Sequence, residues 1–139
     1  MLHYSYPTSS FFRQGYIFDM KTVYFKTGEE IMSEGKSSSC AYIIETGSVE
    51  VSIINDHNER QVLSQLKEND MFGELGLIDG LPRTATVTAL QDCTVNMLTK
   101  DMFDSLVKNN PEALMPFLKV MASRLRSTIE LLESIQVHK

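Results

Sequence analysis

A chain of 139 residues with 18 acidic and 13 basic side chains has a formal charge of −5. It lacks the clustered Lys/Arg that binding to a nucleic-acid backbone requires. That length suits one domain, or one domain with an appended element, and supports a core without staples. No run reaches membrane-span length, and the opening MLHYSYPTSS has neither the basic n-region nor the apolar h-region of a secretory signal. Cys40 and Cys93 are far apart and belong to no CxxC or Cys/His pattern. They read as free buried thiols in a reducing, cytoplasmic compartment.

Residues 1–21 carry aromatics without a period, and FFRQGYIFDM reads as an arm or a short helix. From Val23 onward, short apolar runs recur, each closed by a turn signal: TVYFKTGEE, SCAYIIETGS, VEVSIINDHNE and RQVLSQLKEND. Val49 and Val51 alternate with Glu50 and Ser52, which is strand period. NDHNE is a hairpin tip, and TATVTAL and CTVNML add two strands. Many short, closely spaced strands predict an antiparallel barrel or roll over 22–98.

After Leu98 the period changes. Thr99 is a cap candidate, and Met102, Phe103, Leu106 and Val107 have helical spacing. Asn110 caps a second helix with Pro111 at its first position, reaching about Gln136. Pro116 predicts a kink, or a helix that starts afresh there. Leu118, Met121, Leu125, Leu132 and Ile135 form an apolar stripe, interrupted by Thr128. The stripe is longer than a small roll can cover, so residues 99–139 are expected to supply a homodimer contact through the last helix. His3, His57 and His138 fall in the arm, a hairpin tip and the tail, and read as solvated rather than as metal ligands.

The chemistry is concentrated in FGELGLIDGLPRTATV, residues 72–87. Gly73 lets the backbone approach a ligand. ELGLI has room for little more than one helical turn before DG ends it, and the start of a turn offers N–H groups to an anion. Arg83 adds a guanidinium fork, and small Ala85 leaves its own N–H accessible. Glu74 makes sense in such a site if the ligand also carries hydroxyls. A phosphate and a ribose describe a compact nucleotide, and one arginine suits a cyclic phosphodiester. There is no GxxxxGK[ST] loop for an ordinary nucleoside triphosphate.

With Phe72, Gly73, Glu74, Leu75, Gly76, Leu77, Pro82, Arg83, Thr84, Ala85, Thr86 and Val87, the segment resembles the phosphate-binding cassette of cyclic nucleotide-binding domains. Phe25, Gly28, Glu29, Ile31, Glu34, Gly35, Tyr42, Ile44, Gly47 and Val49 extend the resemblance, which covers about residues 22–136. It implies a mainly β fold with flanking α: an antiparallel β-roll (double-stranded β-helix or jelly roll) with a short cassette helix and two C-terminal helices. It also implies site roles. Glu74 accepts from the ribose 2′-hydroxyl, and Arg83 binds the exocyclic phosphate oxygens. N–H groups near Gly73, Leu75 and Ala85 complete the cradle, and Thr84 sits beside the phosphate and a syn purine. Thr128 matches a threonine that hydrogen-bonds the adenine amino group in the catabolite-activator family. Two departures leave the ligand untouched. Asn69-Asp70 and Gly35-Lys36 stand where the family often has Gly-Asp, and Asn tolerates the left-handed backbone such a turn needs.

The expected function is a cAMP- or cGMP-binding sensor, cAMP favoured, that signals through its C-terminal helices. The alternative is a degenerate, nucleotide-free member that docks or dimerises. No nucleophile–base pair, metal cluster or HD-type motif suggests an enzyme or a cofactor. A DNA-reading helix-turn-helix of the catabolite-activator type would follow the long helix, so nucleic acid and membrane are not expected partners of this chain itself.

Overall fold

The computed structural model describes residues 20–137. His3, His138 and nearly all of the expected N-terminal arm lie outside them. Among the described residues there are eight strands: β1 (Lys21–Phe25), β2 (Glu30–Met32), β3 (Cys40–Thr46), β4 (Val49–Ile54), β5 (Arg60–Leu66), β6 (Met71–Phe72), β7 (Thr86–Ala89) and β8 (Cys93–Thr99). A short helix α1 (Glu74–Asp79) separates β6 from β7. The helices α2 (Lys100–Asn109) and α3 (Met115–Val137) follow, joined by a 3-10 turn at Pro111–Leu114.

The strands form two antiparallel four-stranded sheets, ordered β1-β8-β3-β6 and β2-β7-β4-β5. This is the expected antiparallel β-roll. Strand period explains which side chains are inside: on β3, Cys40, Tyr42 and Ile44 join one buried cluster with Val49, Phe72, Val87 and Val95. Ile44, Val49, Val87 and Val95 are completely covered, and burial of each such side chain contributes about 1.5–3 kcal/mol. Cys93 closes the same cluster, its thiol directed at the carbonyls of Ser48 and Gln91, both at 3.2 Å. Burial raises the pKa of that thiol. Both cysteines are buried, unbridged thiols.

Turn chemistry fixes the connections. In the β4–β5 hairpin, the Asn55 carboxamide accepts from the N–H groups of His57 and Glu59 at 2.9 and 3.0 Å. Asn69 adopts φ 73°, so the left-handed turn survives without glycine. The Asp92 carboxylate accepts from the N–H and hydroxyl of Thr27. Those bonds hold its pKa below the usual range and join the β1–β2 turn to the β7–β8 turn.

The chain separates into two compact units, with the boundary between Phe103 and Asp104. At the end of the first, the Thr99 hydroxyl accepts from the Met102 N–H at 3.3 Å, as a cap should. In the second, the helix expected from Asn110 onward is divided where Pro116 predicted a kink or a fresh start. Pro111–Leu114 is a 3-10 turn, and Asn110 precedes it without a side-chain cap bond. Pro116 explains the division: it has no N–H to give the Glu112 carbonyl. That carbonyl instead accepts from Met115, where α3 starts afresh. Among the described residues, no helix is long and apolar enough to cross a membrane.

Candidate nucleotide-binding site

The pairing of β3 with β6 sets Tyr42 opposite Phe72, and their rings stack with centroids 5.1 Å apart. Gly73 follows at once with φ 80° and ψ 6°, a conformation that is easy only for a residue without Cβ. It redirects the chain into α1. Gly80, also left-handed, ends α1 with its N–H on the Gly76 carbonyl at 2.8 Å. A helical turn starting at Glu74 presents backbone N–H groups without intrahelical partners at its first residues.

Arg83 enters from the other end of the segment and is clamped along its length. Its N–H donates to the Lys36 carbonyl and its carbonyl accepts from Gly35, both at 2.8 Å. Gly35 needs its left-handed φ of 82° to make that turn. The side chain runs back to the start of α1, where Nη1 donates to the Gly73 carbonyl at 3.0 Å. Nη2 points at the Cys40 sulfur at 3.5 Å, and the guanidinium carbon lies 5.8 Å from the centre of the Tyr42 ring. A Cβ on residue 73 would sit 2.6 Å from Nη1, so the glycine serves both the turn and the arginine.

Two charged side chains of this segment are therefore buried: Glu74 is 4% exposed and Arg83 8%. Burying a charge is costly unless the site gives it specific partners, which distinguishes these two from the surface pair Arg60–Glu50. Ala85 is also buried. Leu75 is exposed, so its place in the site rests on its backbone N–H, and Thr84 is exposed beside Arg83. Thr128 lies in the second unit, exposed on α3, where its hydroxyl donates to the Arg124 carbonyl at 2.9 Å. Cys40 and Tyr42 were not among the expected site residues. Strand period carried the only signal, since residues two apart on β3 share a face. Burial above all, reinforced by the Cys40 contact, pushes the Tyr42 phenol up to about 12, while the Arg83 guanidinium opposes the rise. Among the described residues, no group of three His, Cys, Asp or Glu side chains has a metal-binding arrangement.

Residues 22–110 match the model of the cyclic nucleotide-binding domain. The cAMP-activated global transcriptional regulator CRP of Salmonella typhimurium is 36% identical over 101 residues, which are 72% of this chain and 48% of that protein. The cAMP-dependent protein kinase regulatory subunit of Yarrowia lipolytica is 39% identical over 80 residues, 58% of this chain and 20% of the subunit. The catabolite activator protein of Thermus thermophilus superposes with a TM-score of 0.78 at 21% identity, over 84% of this chain and 55% of that one, a likeness of fold. The chain thus spans about half the length of the transcriptional regulator it matches. With the roll, the buried Glu74 and Arg83 and the family match over most of its length, the chain belongs to the cyclic nucleotide-binding domain family.

Proposed function

We propose that the chain is a regulatory sensor for a cyclic nucleotide, with cAMP preferred to cGMP, and that it catalyses no reaction itself. The observation that carries this reading is the buried Arg83 guanidinium, fixed at the Gly73 carbonyl where α1 begins, next in sequence to the buried Glu74. Arg83 holds the exocyclic phosphate oxygens, helped by N–H groups near Gly73, Leu75 and Ala85. Glu74 accepts from the ribose 2′-hydroxyl, and Thr84 flanks the phosphate. Residues 22–98 form the binding roll, 72–87 its cassette and 99–139 the lid and dimerisation helices.

The choice of base is assigned to Thr128 by its match to the adenine-binding threonine of the catabolite-activator family. Its bond to the Arg124 carbonyl is the competing account, in which the hydroxyl only satisfies itself within the helix. The relatives named above for cAMP support the same choice. Nucleotide binding shifts the population of the C-terminal helices, which pair as a parallel homodimer through α3. The setting is a reducing, cytoplasmic one, without nucleic acid or membrane as a partner of this chain.

Calorimetric titration with cAMP and cGMP, on the parent and on Arg83→Ala, tests the reading. A desolvated charge-assisted contact contributes roughly 2–5 kcal/mol, so the variant is expected to fold and to bind at least about 30-fold more weakly. A folded variant binding within threefold of the parent rejects the assignment. A parent that binds neither nucleotide points to a protein-docking role instead.

A further inference from the structure

Arg83 is held from three directions, and two of the groups that hold it come from one strand. Nη1 is on the Gly73 carbonyl at 3.0 Å, Nη2 faces the Cys40 sulfur at 3.5 Å, and the Tyr42 ring lies 5.8 Å from the guanidinium carbon. We infer that Cys40 and Tyr42 form a seat that fixes the direction of the guanidinium, making them positioning residues for the anion Arg83 binds. The inference rests on the phosphate role given to Arg83 and adds two residues to which no role has been assigned.

Chemistry and geometry both support a seat. A guanidinium has five N–H donors in a rigid plane. Those engaged within the protein set the plane and leave the others for an incoming phosphate. A long arginine side chain left to itself would have to be ordered when the ligand arrives, and a preset one avoids that loss. Tyr42 can act as a fixed wall because it is itself fixed, buried and stacked on Phe72 with an interplanar angle of 24°. Phe72 immediately precedes Gly73, so the carbonyl that catches Nη1 follows directly on the β3–β6 pair that holds the wall. The ring carries more of the effect than the sulfur. A cation within about 6 Å of an aromatic centroid is attracted to its face, whereas a thiol sulfur is a weak acceptor.

The test is calorimetric titration of full-chain variants with cAMP, with melting temperatures recorded alongside. Tyr42→Leu removes the face and is expected to weaken binding roughly tenfold. Tyr42→Phe keeps the face and should bind within about twofold, and Cys40→Ala should lose about threefold. Repeating the series in an Arg83→Lys background separates positioning from plain packing, because lysine lacks the planar fork that a seat directs. There the losses should shrink below about twofold. If Tyr42→Leu does not fold, Cys40→Ala and Tyr42→Phe carry the comparison with the same expected values. Losses of equal size in both backgrounds overturn the proposal, as does full affinity in a folded Cys40→Ala together with a folded Tyr42→Leu. Unchanged binding by Arg83→Ala overturns the phosphate role and this proposal together. Lost binding there, with Cys40 and Tyr42 variants unaffected, overturns this proposal alone.

Discussion

Glu74 and Arg83 divide the work of recognition by their hydrogen-bond character. A carboxylate only accepts and a guanidinium only donates, so one meets hydroxyls and the other phosphate oxygens. Glu74→Gln keeps an acceptor oxygen and is expected to weaken cAMP binding by roughly threefold to tenfold. Against the 2′-deoxy analogue it should change affinity hardly at all; equal losses for both ligands would remove the ribose role. Gly76 presents a different residue-scale constraint. A Cβ there would lie 2.0 Å from the Ser38 hydroxyl oxygen, the one buried side-chain oxygen or nitrogen without a partner among the described residues. Gly76→Ala is therefore expected to destabilise the roll by about 1–3 kcal/mol, and adding Ser38→Gly should recover only part of it in denaturant melts, because the Leu81 carbonyl would still lie 2.9 Å from that Cβ. Tyr42 supplies a pH dependence. Its folded pKa of about 12 exceeds the ordinary tyrosine value of 10.0, so the phenol's contribution is complete below about pH 10 and is lost as pH rises toward 12. Absorbance titration of tyrosinate should show a late-ionising component that is absent from Tyr42→Phe, whose stability should fall less over that window.

Left-handed residues mark the boundaries of the elements that build the site. Asn69 precedes β6, Gly73 opens α1 and Gly80 closes it. Such a backbone costs about 1–2 kcal/mol for a residue with an ordinary Cβ. Asn69→Ala should lose roughly that much in thermal or denaturant unfolding, while Asn69→Gly should be nearly neutral. Turns of this kind were legible because glycine and asparagine announce them, and the cassette helix was legible because DG follows it. The strands from SCAYIIETGS through CTVNML were legible from their period and their flanking turns. Other features left weaker traces. β6 has only two residues, too few for any period. β5 is an edge strand, and Val62 and Leu63 on its opposite faces are both exposed, so alternation there did not separate inside from outside. The 3-10 turn at Pro111–Leu114 was missed because Pro111 reads equally well as the first residue of an α-helix, while Pro116 decides how far that helix can run. Contacts such as Arg83 with Cys40 join positions 43 apart, and no local pattern encodes them.

For the molecule as a whole, the long helix and the roll raise different questions. Leu118, Leu125, Leu132 and Ile135 are all more than half exposed on α3. That stripe is the basis for expecting self-association. Light scattering should show a dimer for the full chain and a folded monomer after truncation behind Arg124; a monomer at high concentration with and without nucleotide would reject the pairing. The roll's consequence lies in the bond from Arg83 to the Gly73 carbonyl, which closes residues 73–83 into a ring. Both ends of that ring are anchored, Gly73 by β6 and Arg83 by the turn at Gly35 and Lys36. Its far side is held only from within the segment, Gly80 by the Gly76 carbonyl and Leu81 by the Asp79 carboxylate, and a Cβ built on Gly80 would meet nothing within 4 Å. Length is therefore nearly a free variable at that point. Two glycines inserted after Gly80 add only loop-closure entropy, ~0.2 kcal/mol for so small an increase, and should leave nucleotide affinity within twofold. The same two residues inserted between Pro82 and Arg83 would break the register with Lys36 and abolish binding, so the segment should tolerate insertions at its tip and resist them at its base.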